Sequence, residues 1–103
     1  MLPVITRTCS YENEGLDSKN MGCWPIYPTQ KKFGEGNLTV DNIDLIESNE
    51  AFSTQSCAVG KTLDLNTNIV TVNGGEIALD HPIGASGYRI LVTLILLNDE
   101  AWY

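Results

Sequence analysis

The sequence has 103 residues, of which 43% are hydrophobic and 18% charged, and these proportions predict one small globular domain with its own core. Thirteen acidic and six basic residues give a net charge of −7, which disfavours binding to nucleic acids and to anionic membrane surfaces. No apolar segment is long enough for a signal peptide or a membrane span, so we expect a cytoplasmic protein.

The three cysteines of the chain do not form a recognisable motif. Cys9, Cys23 and Cys57 are far apart, and no pair has the two-residue gap that is typical of redox and zinc motifs. Three thiols with His81 make a chemically acceptable zinc set, but the spacing gives it no support. We therefore predict no metal and no disulfide framework, with the thiols buried or on the surface.

The N-terminal third of the chain predicts a strand, a loop and a short helix. Residues 2–8 are apolar and β-branched and predict a strand, whereas residues 11–22 are polar and predict a loop. The prolines within 25–32 suit the first turn of a helix, and we expect Gly34 and Gly36 to end that helix early.

The middle of the chain changes from a strand period to a helix period. Residues 42–48 alternate apolar and acidic side chains, as a strand with one covered face does. Ser48 or Asn49 can then cap a helix, with Glu50 near its positive end and Lys61 near its negative end. The apolar residues of that helix fall on one stripe: Ala51, Phe52, Ala58, Val59 and Leu63.

The C-terminal third contains a short strand, a glycine-bearing loop and an apolar run. Residues 68–72 are β-branched and predict a strand, which leads into the loop 73–87. Residues 88–97 are almost continuously apolar, and their periodicity does not decide between a buried strand and a buried helix. Strands that alternate with helical stretches indicate an α/β fold with a mixed sheet.

The loop 73–87 holds the only histidine of the chain, His81, with glycines on both sides of it. Pro82 disfavours helical dihedrals at the residue before it, so the imidazole should project from extended or irregular backbone. A shaped loop that holds one imidazole suggests a reaction site, although a lone histidine is also common as a structural or surface group.

Two further polar residues have both a functional and an ordinary interpretation. Ser86 lies between two glycines at the start of the apolar run, where backbone amides can bind an anion. The ordinary interpretation of Ser86 is a helix N-cap, and the same interpretation applies to Asn49.

Three segments together resemble the C-terminal half of thiolases, the enzymes that form or cleave 3-ketoacyl-CoA. These segments read IDLIESNEAF at 43–52, IVTVNGG at 69–75 and HPIGASGYRILVTL at 81–94, and their order and spacing match as well. The similarity extends over residues 2–97. It implies that residues 1–103 form a single partial thiolase-like C-terminal domain, with helices packed on a mixed sheet and incomplete at its C-terminal end. It also implies that 88–97 is a buried helix.

The resemblance implies a role for five residues. His81 matches the histidine that deprotonates the nucleophilic cysteine of thiolases and donates to the oxyanion pocket, and Asn49 matches the asparagine that holds a water near the thioester oxygen. These roles are chemically sound, since a neutral imidazole activates a thiol and fixed donors stabilise a developing oxyanion. Phe52, Gly84 and Ser86 would bind substrate. The substrate would be a coenzyme A thioester, and no separate cofactor is implied.

The sequence departs from the thiolase pattern at both cysteines and at three positions near the site. The resemblance places the nucleophilic cysteine in an N-terminal half and the second cysteine in a Cys-x-Gly motif beyond the apolar helix, and no cysteine of this sequence matches either one. Asp80 stands where a glycine is usual, Glu76 replaces an alanine and Tyr88 a small residue. A carboxylate beside His81 is expected to weaken a base that must be neutral.

Three functions follow from this pattern. The first is a thiolase-like acyltransferase domain that is inactive alone. The second is a non-catalytic interaction module that pairs with itself or with a full-length thiolase, because an exposed apolar surface favours association. The third is complementation by a separate chain that supplies both cysteines. A general acyl-CoA binder is less favoured, because the family's loop domain that grips the nucleotide has no counterpart here.

Overall fold

A computed structural model of the chain describes residues 4–100. Four α-helices follow in chain order: α1 (Ile26–Gly36), α2 (Ser53–Thr62), α3 (Glu76–Leu79) and α4 (Ser86–Glu100). Three 3-10 turns lie between or before them: Ser18–Cys23, Val40–Asn42 and Thr67–Ile69. No helix in this part of the chain is both long enough and apolar enough to cross a lipid bilayer.

The apolar core lies where the start of α1 meets the end of α2. Ile26, Val59 and Leu63 are its buried members, and Cys23 and Leu65 pack against them. The radius of gyration is 14.3 Å, somewhat above the roughly 13 Å expected for a compact domain of 100 residues. The core is therefore thin, and a change at any of the three buried residues affects a large share of it.

Helix α1 confirms the helix predicted at the prolines, but it does not end early. The Thr29 hydroxyl donates to the Pro25 carbonyl at 2.7 Å in the first turn. The helix then continues through both glycines to Gly36 and ends at Asn37, whose φ of 50° is the left-handed conformation of a helix C-cap. A glycine costs about 1 kcal/mol in a helix, which weakens it without stopping it.

Helix α2 begins several residues later than the sequence predicts. Neither Ser48 nor Asn49 caps it, because Glu50 has a φ of 52° and Phe52 is extended, so regular helix starts at Ser53. Lys61 lies in its last turn, as predicted. The predicted apolar stripe is only partly buried, because Ala51 and Phe52 precede the helix and Ala58 is exposed.

The three predicted strands are wrong for the described residues. Residues 2 and 3 lie outside them, and residues 4–8 have no regular structure. Within 42–48 and 68–72 a single parallel bridge joins Ile46 to Val70, so residues 4–100 contain no mixed sheet. One reason is that an isolated pair of strands is marginal without a further strand beside it.

The segment from Ser86 is helix α4, which settles the ambiguity between strand and helix. The expectation that this helix is buried is wrong for the described residues. Tyr88, Leu91 and Leu96 are all more than half exposed. Much of the apolar surface of α4 is therefore left uncovered by the rest of the described chain.

The irregular segment before the first 3-10 turn is held onto α1 by polar contacts. The Glu12 carboxylate pairs with the ammonium groups of Lys31 at 2.9 Å and Lys32 at 3.1 Å. Hydrogen bonds from these two lysines lower the pKa of Glu12. The indole N–H of Trp24 donates to the carbonyl of Glu14 at 2.7 Å.

Candidate functional site

The bridge between Ile46 and Val70 brings the residues before α2 against the residues before α3. The Ile46 N–H donates to the Ile69 carbonyl at 2.9 Å, and the Thr71 N–H donates to the Ile46 carbonyl at 2.7 Å. The N–H of Ser48 then donates to the buried hydroxyl of Thr71 at 3.2 Å. These contacts fix the backbone just before Asn49, whose side chain lies beside α3.

Two glycines let the chain turn closely past Glu50 into α3. Gly74 has a φ of 89°, a conformation that side chains with a Cβ rarely adopt. A Cβ on Gly75 would lie 2.6 Å from the carboxyl carbon of Glu50, which is too close for any residue but glycine without movement of Glu50. The turn places Glu76 at the first position of α3.

The carboxylate of Glu76 joins the two residues that the sequence proposes as catalytic. Its Oε2 accepts a hydrogen bond from Nδ2 of Asn49 at 2.5 Å, and its Oε1 lies 2.5 Å from Nδ1 of His81. The Glu76 side chain is 9% exposed, whereas the His81 side chain is 44% exposed. The carboxylate is therefore shielded while the imidazole keeps an open side.

The imidazole of His81 has a second neighbour on the same nitrogen. The hydroxyl of Ser86, a buried residue at the start of α4, lies 2.6 Å from Nδ1. His81 itself lies in the irregular backbone between α3 and α4, as its position before a proline predicts. Its backbone N–H donates to the Asp80 carboxylate at 2.8 Å.

A family model for the thiolase C-terminal domain matches residues 2–101. The chain belongs to the thiolase C-terminal domain family. The resemblance drawn from three sequence segments is confirmed by this match, which covers almost all of the chain.

Known proteins share both the sequence and the fold of this thiolase domain. An acetyl-CoA acetyltransferase of Pseudomonas aeruginosa is 49% identical over 94 residues, which are 91% of this chain and 24% of that protein. The crystal structure of the Bacillus anthracis acetyl-CoA acetyltransferase gives a TM-score of 0.75 at 44% identity, covering 80% of this chain and 21% of that chain. The crystal structure of the dimeric peroxisomal thiolase of Saccharomyces cerevisiae gives a TM-score of 0.69 at 39% identity, covering 73% of this chain and 19% of that chain. The chain therefore has a thiolase-like fold and spans about a quarter of the length of the curated relatives it matches.

The thiolase domain brings together three of the five residues that the sequence singles out. Asn49 and His81 both contact the Glu76 carboxylate, and Ser86 contacts the imidazole of His81. Phe52 and Gly84 are not part of this cluster. The side chain of Phe52 is 64% exposed, and a Cβ built at Gly84 would meet open space.

Glu76 is the member of the cluster that sequence reasoning missed. In the sequence, Glu76 stands out only as a departure from the thiolase pattern, although it lies five positions before the single histidine. Its contact with Asn49 spans 27 positions of the chain, which no local pattern reveals. The structure places the adjacent carboxylate, that of Asp80, on the backbone N–H of His81.

The three cysteines of the thiolase domain are unpaired. Cys9 and Cys57 are exposed and Cys23 is half-buried. In the described part of the chain, the imidazole of His81 contacts Glu76 and Ser86 and no thiol. Residues 4–100 contain no group of three or more His, Cys, Asp or Glu side chains that is placed to hold a metal ion.

Proposed function

We propose that this chain supplies the base-bearing half of a thiolase-type acyltransferase site that acts on coenzyme A thioesters. Residues 1–103 would form a single partial thiolase-like C-terminal domain, and the nucleophilic thiol would come from outside this sequence. The observation that supports the proposal best is the meeting of Asn49 and His81 at one carboxylate, in a chain that belongs to the thiolase family.

In this proposal His81 removes the proton from the nucleophilic thiol. Since Nδ1 faces Glu76 and Ser86, Nε2 is the nitrogen left to accept that proton. A histidine that is oriented by a carboxylate on one nitrogen and acts as a base with the other is a recurrent arrangement in nucleophilic catalysis. The open side of the imidazole leaves room for a thiol to approach.

Asn49 holds a water for the thioester oxygen in the same proposal. Its Nδ2 donates to Glu76, and its Oδ1 is buried without a hydrogen-bond partner among the described residues. A buried amide oxygen that accepts from a water leaves the second proton of that water free to donate to a developing oxyanion. Phe52 and Gly84 are proposed as substrate-contacting positions because their surroundings are open.

The purified chain is expected to be inactive by itself. A general base accelerates proton transfer by roughly 10²- to 10⁴-fold, but without a nucleophilic thiol no acyl-enzyme forms for it to assist. The test is thiolysis of acetoacetyl-CoA by the 103-residue chain, with His81→Ala as the control. Turnover clearly above that of the control would reject the claim that the chain is inactive alone.

A second experiment tests the catalytic role of His81 directly. The chain is mixed with a separately purified thiolase polypeptide that carries both catalytic cysteines but no base histidine. We expect thiolysis only in the mixture, and we expect His81→Ala to abolish it. A mixture in which the two chains bind each other without gaining activity rejects the catalytic role of His81.

A second candidate function is a non-catalytic interaction module that pairs with itself or with a full-length thiolase. The exposed apolar residues of α4 and the single parallel bridge favour it, since both leave surface for an added element. We propose that the mixed sheet predicted from the sequence forms in such an assembly. The yeast peroxisomal thiolase is itself described as dimeric.

Sedimentation of the purified chain separates the two functions. A dimer, or a complex with an added thiolase, that forms equally well with His81→Ala supports the interaction module. A clean monomer that binds no thiolase chain counts against it. Titration with coenzyme A in the same samples tests direct ligand binding by the isolated chain.

A further inference from the structure

We propose that Glu76 is a positioning residue, which fixes the hydrogen-bonding roles of both Asn49 and His81. The inference rests on the proposed function, because it gives the base and the water-holding amide a shared orienting group. The resemblance to thiolases implies an alanine at this position, where this chain has a glutamate. The Glu76 carboxylate has a partner on each of its two oxygens.

An ionised carboxylate only accepts hydrogen bonds. The atom that faces Oε1 of Glu76 at 2.5 Å must therefore carry a proton, since two lone pairs at this distance repel each other. That atom is Nδ1 of His81, so Nδ1 keeps its proton in both the neutral and the charged ring. The proton that is gained and lost is then the one on Nε2, on the ring nitrogen that does not face Glu76.

The Glu76 carboxylate also orients the side-chain amide of Asn49. Its amide can present either the oxygen or the nitrogen, and only the nitrogen can donate to Oε2 of Glu76. With Nδ2 held there, Oδ1 points away from Glu76 as a buried acceptor with no partner among the described residues. One carboxylate thus determines which end of the amide is available to a water.

Ser86 by itself cannot impose this choice. Its hydroxyl, 2.6 Å from Nδ1, can donate to an unprotonated nitrogen or accept from a protonated one. An alanine at position 76 would leave Nδ1 with this hydroxyl alone and would leave the Asn49 amide free to flip. Glu76 therefore adds an orientation that the alanine cannot supply.

Asp80 does not duplicate the effect of Glu76, although it is the nearer carboxylate in sequence. Its side chain accepts from the backbone N–H of His81, and its φ is 109°. Asparagine keeps an oxygen acceptor and tolerates positive φ better than most residues. The variant Asp80→Asn is thus a matched control, because it removes a charge beside the histidine and leaves the ring contacts in place.

The experiment measures the ¹⁵N signals of the imidazole in the labelled 103-residue chain. His81 is the only histidine, so its two ring nitrogens give the only imidazole signals. In the neutral ring at alkaline pH, we expect a protonated Nδ1 and an unprotonated Nε2 in the wild type and in Asp80→Asn. We expect Glu76→Ala to lose this pattern and to shift toward protonation at Nε2.

Two results would overturn the proposal. The first is a wild-type ring with its proton on Nε2, a measurement that needs no variant and so does not depend on whether Glu76→Ala folds. The second is an unchanged pattern in a Glu76→Ala chain whose backbone spectrum shows that it is folded. Neither result requires a thiolase partner, so failure here is distinct from failure of the activity test on mixed chains.

Discussion

Two regions of the molecule are held together in different ways. Around the start of α1 and the end of α2, the buried side chains are apolar: Ile26, Val59 and Leu63. In the region of the bridge and the loop before α4, the buried polar residues are Thr71 and Ser86, and both make side-chain hydrogen bonds. The first region excludes water, whereas the second matches donors to acceptors.

The contrast predicts different sensitivities for the two regions. An apolar contact depends on volume and is nearly indifferent to pH, whereas a buried polar contact depends on which atom carries the proton. A catalytic group needs buried polar contacts, because these contacts fix its orientation and its charge. The thin apolar core therefore supports a site that is organised mainly by hydrogen bonds.

The largest effect is expected from Leu63→Ala in the apolar region. Loss of a buried leucine side chain costs about 2–5 kcal/mol, a large fraction of the 5–15 kcal/mol that stabilises an ordinary domain. Urea unfolding followed by circular dichroism measures the change. Leu96→Ala removes the same atoms from an exposed position of α4 and should change the free energy of unfolding by less than about 0.5 kcal/mol. Equal effects at the two positions would contradict the placement of the core.

A smaller effect is expected from Thr71→Val in the polar region. Valine keeps the shape but removes the hydroxyl that accepts from the Ser48 N–H, and leaving that donor unsatisfied costs about 1–3 kcal/mol. Thr62→Val at the exposed end of α2 is the matched control. If both valine variants unfold at the wild-type urea concentration, the Thr71 hydroxyl does not hold the site backbone.

The smallest effects concern pH, and they should have opposite signs in the two regions. Near the bridge, burial raises the pKa of Glu47, partly offset by the charge of Arg89. The stability linked to Glu47 is therefore full below its unfolded pKa and is lost as pH rises through the folded pKa. On α1, Lys31 and Lys32 lower the pKa of Glu12, so its contribution is present above the unfolded pKa and is lost as pH falls through the folded pKa.

Glutamine variants of the two residues test these signs. At neutral pH, Glu47→Gln should unfold at higher urea than the wild type and Glu12→Gln at lower urea, and both differences should shrink in acid. Unfolding curves collected from acid to neutral pH give the comparison. A change of the same sign in both variants would show that net charge, rather than local surroundings, determines the response.

Part of this structure follows from sequence patterns and part does not. The helical start at Pro25 and the helix position of Lys61 follow from local chemistry, and both are found. The start of α2 does not, because Glu50 has a positive φ and its side chain lies against Gly75, which is distant in sequence. The strands fail for a related reason, since alternation describes a face but not the neighbours that a sheet requires.

The candidate site is likewise predicted only in part by the sequence. An irregular backbone at His81 follows from Pro82, and the position of Asn49 as a candidate follows from the resemblance to thiolases. Their shared contact with Glu76 does not follow from either, because the contact between Asn49 and Glu76 spans 27 positions of the chain. Long-range side-chain pairing is therefore the information that the local sequence lacks.

The bridge between Ile46 and Val70 has a consequence for the order of folding. It closes a loop of residues 47–69 that contains all of α2, and closure of a loop this long carries an entropy penalty that two hydrogen bonds do little to offset. Formation of α2 shortens the loop and so must assist closure. The amides of Ile46 and Thr71 should therefore be protected from deuterium exchange to the extent that α2 stays folded, so that their exchange reports on the opening of the site.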